Sequence, residues 1–471
     1  MKICKPFLCF FLILAPLRLN ASSVIVRGSG SGYNNVELRF FTQTDPVTKG
    51  LKPVMRIRCN ENGSFSAEIP NDHPGVIYIK TGIFMFRLFL TGEPVYELQF
   101  PNYVPKAKTE EMNPFFHETE LMPLVTNNKD DINNLIRDFD SDFDPIFIFV
   151  AERVMRNNRN DDILKEISKL DKYPVNQGNA IYNNYVSCRK YMLNLVYNTS
   201  LTEKQKALDF LNSYFDSVNP AFADLTEQVF SGYFNNFLSG TFKGSFARAI
   251  ATASYSELKS VLLRDAQIKN KELADFVILL NLNKFYYDKS LPADNIRKIL
   301  TLMRSQAETE YTRNLAAIQL DKINSTLQGN YPPDFSLADN SGKIMSLKDF
   351  RGKYLLLSFA RSDDPASITE LSVINMWQNK YVKDLQVVTI LTDDSFTSGA
   401  DRMKKNGFNW IFLNGSDSDN LEYTYGIKIY PAFILLDRDN KIIFNPCLYP
   451  SEDLELKLSS IISGSPGQLI P

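Results

Sequence analysis

The hydrophobic pattern of this chain changes period twice, and that divides it into three regions before any motif is read. Over residues 22–104, short runs rich in β-branched and aromatic side chains recur at 24–26, 36–40, 76–79, 85–90 and 96–100. Such runs suit the pleated, half-buried surface of a strand. Asn62-Gly63 is a hairpin turn signal between 55–59 and 64–69, because a tight two-residue turn needs positive φ. The spacing predicts a small antiparallel β-sandwich over 22–108.

Over 109–327 the period becomes helical. Leu135, Phe139, Ile146, Val150 and Val154 fall on one face, and Ile296, Ile299, Leu300 and Met303 on another. Ser200 with Glu203 three residues on reads as a capping box. The aromatic residues Tyr182, Tyr185, Phe234, Phe237, Tyr286 and Tyr287 are read as packing between helices rather than as a ligand site.

From 328 to 471 the pattern changes again. Residues 354–359 and 385–391 are apolar on both faces, as buried strands are. Helical runs at 365–381 and 401–406, a hairpin of 432–436 with 441–444, and a closing helix at 451–463 complete an α/β layer arrangement. The chain is therefore expected to be multidomain, with an N-terminal β-sandwich, a central all-α region and a C-terminal α/β domain.

Its start reads as a signal peptide over 1–21. Lys2 and Lys5 precede an apolar run at 7–16, and Ala21 offers a small residue for cleavage. The run is far short of the ~20 residues a membrane span needs. Nothing later is long and apolar enough, so no membrane span is expected in the mature chain. Loss of Lys2, Lys5 and Arg18 takes 52 basic residues to 49 against 54 acidic, a net charge of −5. That charge argues against nucleic acid as a partner.

Cysteine and histidine narrow the chemistry. Of five cysteines, Cys59, Cys188 and Cys447 remain after cleavage, far apart, and no CxxC occurs. They can form at most one internal bridge, and each is read as an inert buried thiol. Only His73 and His117 are present, so neither a histidine metal site nor any other cofactor is expected. No Ser-His-Asp or paired-carboxylate arrangement is recognisable.

Four motifs then carry a resemblance. Pro333-Asp334-Phe335-Ser336-Leu337 leads to Gly342-Lys343 and Ser346-Leu347; Phe350-Arg351-Gly352-Lys353 precedes the strand at 355–359. Glu370-Leu371 follows, and then Tyr425-Gly426-Ile427 with Tyr430-Pro431. Taken in order, these resemble the thioredoxin-like domains of the TlpA and peroxiredoxin-related (redoxin) group. The order of regions resembles Bacteroidetes-type envelope proteins. The resemblance implies a CxxC at the start of the first helix and a cis-proline beside a substrate groove. Counted back from Glu370-Leu371, the two cysteine positions fall on Asp364 and Ser367. Tyr430 and Pro431 would border the groove; read from the residues themselves, Asp363 and Asp364 could form an acidic recognition patch with Arg361 alongside.

Thioredoxin chemistry needs a thiolate at the helix start and a second thiol to resolve the mixed disulfide. A carboxylate and a serine supply neither. Asp363 or Asp364 suits an N-cap instead, and Pro365 the first helical position. The expected function is a non-catalytic binding or scaffolding protein of the periplasm or cell envelope, holding an extended peptide or an envelope protein. The alternatives are a thiol-disulfide oxidoreductase using Cys59, Cys188 or Cys447, and a glycan or peptide binder led by the sandwich.

Overall fold

The computed structural model describes residues 23–463 apart from 71–74, 112, 114, 158–160, 176–177, 218, 394 and 417, and omits the side chains of Asp161 and Ser418. The expected signal segment and His73 lie outside the described residues.

The N-terminal region forms two facing sheets from β1 (Ser23–Ser29), β2 (Glu37–Asp45), β3 (Gly50–Arg58), β4 (Ser64–Pro70), β5 (Val76–Thr81), β6 (Phe84–Phe89), β7 (Val95–Gln99), β8 (Thr119–Leu121) and β9 (Leu124–Val125). Their orders are β4-β1-β7-β9 and β3-β2-β5-β6-β8. Val26, Phe40, Ile77, Ile79 and Phe86 fill the space between them. Two pairs depart from the antiparallel expectation, since β1–β7 and β6–β8 run parallel. Each joins strands far apart in sequence, so no hairpin fixes their relative direction. Both sheets also take in chain beyond residue 108, through β8 and β9.

The helical region comprises α1 (Lys108–Glu111), α2 (Ile132–Met155), α3 (Asp161–Ser168), α4 (Ala180–Tyr197), α5 (Leu201–Ser213), α6 (Pro220–Phe230), α7 (Asn235–Leu238), α8 (Lys243–Ala251), α9 (Tyr255–Arg264), α10 (Lys271–Tyr287), α11 (Ala293–Gln306) and α12 (Glu310–Asn324). Side-chain caps start many of them: Asp131, Asn179, Asn219, Asn270 and Thr309 accept from first-turn amides. Ser200 caps α5 at the Glu203 amide, while Glu203 turns to Lys206 rather than closing the box. α10 is buried on every side from Leu273 to Leu282, as a central helix must be. Tyr182, Tyr185, Phe234 and Phe237 are buried, whereas Tyr286 is only half-buried and Tyr287 is exposed. Alternation along β5 explains the join to the sandwich. Ile77 and Ile79 face the other sheet, while Val76 and Tyr78 pack into the helical core.

The C-terminal region is built on a five-stranded sheet. It contains β12 (Tyr354–Ala360), β13 (Leu385–Leu391), β14 (Ile411–Asn414), β15 (Ala432–Leu436) and β16 (Ile442–Phe444), in the order β14-β13-β12-β15-β16. A small ribbon of β10 (Leu337–Ala338) and β11 (Ile344–Met345) precedes it. β12 pairs parallel with β13 and antiparallel with β15. Leu356 and Ala360 face α13 (Pro365–Trp377), α14 (Phe396–Lys405) and α16 (Leu454–Ser463), while Leu355, Leu357 and Phe359 face α15 (Ser418–Tyr425). β14 and α15 have no counterpart in the sequence reading.

Candidate functional site

The end of β12 and the start of α13 hold most of the residues singled out from the sequence. Asp364 has the extended backbone of an N-cap, and Pro365 opens the helix. The Asp364 carboxylate accepts from the Ser367 amide at 2.8 Å and from the Ala366 amide at 3.3 Å. The Ser367 hydroxyl donates to the same carboxylate at 2.6 Å, and itself accepts from the Arg361 amide at 3.3 Å. Ser367 is fully buried. Asp364 and Ser367 are thus in direct contact, and the donors at the helix start are taken by a carboxylate.

Arg361 and Asp363 lie beside them. The Arg361 Nε donates to Asp363 at 3.1 Å, and the Lys108 ammonium of α1 stands 4.0 Å away. Burial pushes the Asp363 carboxyl up, but Arg361 and Lys108 outweigh it, and the net shift is downward. The patch is therefore a paired one, with its acidic charge already met by two cations.

One residue that the sequence reading missed, Asp393, braces this loop. The buried Asp393, just past β13, accepts from the Ser362 amide at 3.0 Å and from the Ser362 hydroxyl. Arg402 of α14 approaches it at 3.5 Å. No local motif marks Asp393, and the signal in sequence is only a carboxylate two residues past a mostly apolar strand. Glu370 of α13 accepts from both the amide and the hydroxyl of Ser451, which ties α13 to the approach to α16.

The Tyr430–Pro431 peptide is cis. Pro431 is buried, and the Tyr430 hydroxyl donates to Glu422 of α15 at 2.7 Å. Burial raises the Tyr430 hydroxyl well above the usual tyrosine range, and Glu422 adds to this. Burial also raises Glu422, and the neighbouring Asp419 carboxylate adds to the rise. Asp419, in the first turn of α15, accepts from Arg39 of β2 at 3.1 Å and from Arg56 of β3 at 2.8 Å. Arg56 also donates to the Ser416 carbonyl, and Thr44 meets the Tyr423 hydroxyl at 3.0 Å. The loop before Pro431 is thereby connected, through α15, to the N-terminal sheet. Gly426, Lys428 and Ile429 are the exposed residues of that loop.

The three thiols lie elsewhere. Cys59 is in the sandwich core, Cys188 in the helical core and Cys447 against the sheet, each buried and unbridged. Burial raises all three, Cys447 to about 12. A nucleophilic thiol needs the opposite, an accessible and electropositive setting. Among the described residues no group of His, Cys, Asp or Glu is disposed to hold a metal ion, and no helix is long and apolar enough to cross a membrane.

Residues 329–445 match the AhpC/TSA family. The chain is 26% identical over 116 residues to the thiol-disulfide oxidoreductase ResA of Bacillus thuringiensis, covering 24% of this chain and 66% of that protein. It is 28% identical over 120 residues to the thioredoxin-like protein YneN of Bacillus subtilis, covering 24% and 68%. The chain thus spans just under two thirds of the length of ResA. Among solved structures, a thioredoxin-like protein from Bacteroides caccae is 20% identical, with 54% of this chain and 93% of that chain covered and a TM-score of 0.32. A thiol:disulfide interchange protein from Bacteroides sp. is 23% identical, with 30% and 94% covered and a TM-score of 0.28. The C-terminal domain of this chain, over residues 329–445, is a redoxin domain with the thioredoxin-like fold.

Proposed function

We propose that this is an exported binding or scaffolding protein of the periplasm or cell envelope, whose redoxin domain has kept the fold and lost the thiol chemistry. The observation that carries this reading is the Asp364 carboxylate, which fills the start of α13 and engages Ser367. On the alignment from Glu370-Leu371, those are the two CxxC positions. A carboxylate at a helix start is a stable cap, but it cannot form or break a disulfide. The partner in this reading is an extended peptide or envelope protein held near Lys428 and Ile429, with its backbone as the recognised element.

The alternatives have less behind them. Thiol chemistry at Cys59, Cys188 or Cys447 would require opening a packed core. A sandwich that binds glycans by stacking would present aromatic rings on its strands. Among the described residues from 23 to 131, the one exposed Phe, Tyr or Trp is Phe115, between α1 and β8.

The test is insulin reduction driven by dithiothreitol, with the wild type beside the double variant Asp364→Cys/Ser367→Cys. The expected result is a silent wild type and an active double variant. Wild-type turnover that disappears when the three cysteines are replaced would overturn the reading.

A further inference from the structure

The opposite end of α13 presents a second surface. Val373, Met376 and Trp377 follow the i, i+3, i+4 spacing of one helix face, and Lys380 continues it in the turn beyond. Trp377 and Val373 root that face in the domain core, and Met376 projects from it uncovered by the described residues. The face forms one wall of an open groove of about 490 Å³, with Pro450 and Leu456 of the α16 side forming the other. Met376 is 77% exposed and Leu456 70%. Two large apolar side chains left open on facing walls are unusual for a surface that only meets water. The buried indole N–H of Trp377, a residue lining the groove, has no hydrogen-bond acceptor among the described residues.

The walls are held apart at both ends. Glu370 grips Ser451 at one end. At the other, Glu455 accepts from Lys380 at 3.0 Å and from the Tyr381 hydroxyl at 3.2 Å. The groove is therefore preformed, which lowers the ordering cost of binding.

The charges on the rim select the occupant. Lys380 is engaged by Glu455, and Lys457 is turned onto the Phe444 ring. Glu452, which accepts from the Tyr449 amide at 3.0 Å, and Asp453 are exposed on the rim. A second copy paired twofold with its axis through the groove would bring two such acidic rims into one interface, and an anionic bilayer would be repelled. We propose that the groove between α13 and α16 docks a short amphipathic helix of a partner protein, with apolar anchors against Met376 and Leu456 and lysine or arginine facing Glu452 and Asp453. A groove flanked by two helices with a polarizable methionine at its lip suits that mode of recognition.

The experiment uses the full chain and a fluorescein-labelled amphipathic peptide of leucine and lysine in heptad spacing, read by anisotropy. The leucine–glutamate counterpart serves as control. The expected result is saturable binding of the lysine peptide alone. Met376→Ser and Leu456→Ser should each weaken it by about tenfold, equivalent to ~1.4 kcal/mol. Glu452→Gln/Asp453→Asn should weaken it and flatten its salt dependence. All four positions are exposed, so the variants leave the cores intact. Lysine-peptide binding that ignores Met376→Ser and Leu456→Ser, equal binding of the glutamate peptide, or a dimer that Met376→Ser dissolves would each overturn the proposal. None of these outcomes depends on the chemistry at Asp364.

Discussion

Asp364 and Asp419 both sit at the start of a helix in the redoxin domain, and they use their oxygens differently. Asp364 satisfies donors within three residues of itself, namely the Ala366 and Ser367 amides and the Ser367 hydroxyl. Asp419 accepts from Arg56 and Arg39, 363 and 380 residues away in sequence. The first closes a local motif. The second joins the redoxin domain to the N-terminal sheet, and through Glu422 it reaches Tyr430 beside the cis peptide. One carboxylate shapes a helix end, and the other positions a domain.

That difference predicts unequal costs of removal. Asp419→Ala leaves two guanidinium groups facing an empty site. Removing one partner of a buried pair costs about 3–5 kcal/mol. Because Arg39 and Arg56 keep 33% and 26% exposure, the expectation lies at about 3 kcal/mol, the lower end. It should appear as an early thermal transition and faster proteolysis around α15. An Asp419→Ala protein that melts with the wild type would mean that the junction does not hold the domains together.

Gly399→Ala tests an intermediate range. Asp393 and the loop residue it braces, Ser362, are 31 positions apart. A methyl group on Gly399 would lie 2.8 Å from the Asp393 Cγ, and Asp393 is fixed by its bonds to Ser362. Helix propensity favours alanine by up to about 1 kcal/mol, while overpacking costs about 1–3 kcal/mol. A net loss is expected, with faster amide exchange at Ser362. A stabilised variant with unchanged exchange would show that the brace has slack. Asp364→Ala is expected to cost about 1 kcal/mol, as N-cap losses do, and Asp364→Asn much less. Chemical denaturation should rank these variants below Asp419→Ala in effect.

The same contrast explains what could be read from the sequence. The Asp364-Pro365 helix start, the doubly apolar β12 and β13, and the β15–β16 hairpin depend on neighbours in sequence, and the period-2 and capping rules act at that range. The partners of Asp419 do not. Arg39 and Arg56 look like solvent-facing strand residues, because nothing near them in sequence indicates that α15 covers that face. α15 itself is eight residues with a weak apolar stripe, and β14 is only four. Tyr287 failed for a related reason. Its spacing matches a core face, but it lies on the last turn of α10, where packing neighbours run out. The parallel pairings of β1 with β7 and β6 with β8 were likewise beyond local rules.

The finest test separates the two helix starts by pH. Asp363, beside Asp364, has its carboxyl held low by Arg361 and Lys108 against the effect of burial. Its folded form binds the proton less readily than its unfolded form. The stability it contributes is present above the usual aspartate range and is lost as pH falls through the lowered value. Glu422, beside Asp419, is shifted the other way by burial. Its unfolded form ionises first, so stability declines as pH rises from the usual glutamate range toward the raised value. Asp363→Asn should therefore be less stable than the wild type at neutral pH, with the gap closing in acid. Glu422→Gln, which keeps an acceptor for the Tyr430 hydroxyl, should be more stable at neutral pH, and that gap should also close in acid. Denaturant midpoints measured across the acidic range would show the two differences with opposite signs. Equal signs would mean that one of the helix starts is not in the electrostatic setting described, and the one whose variant departs from expectation identifies which.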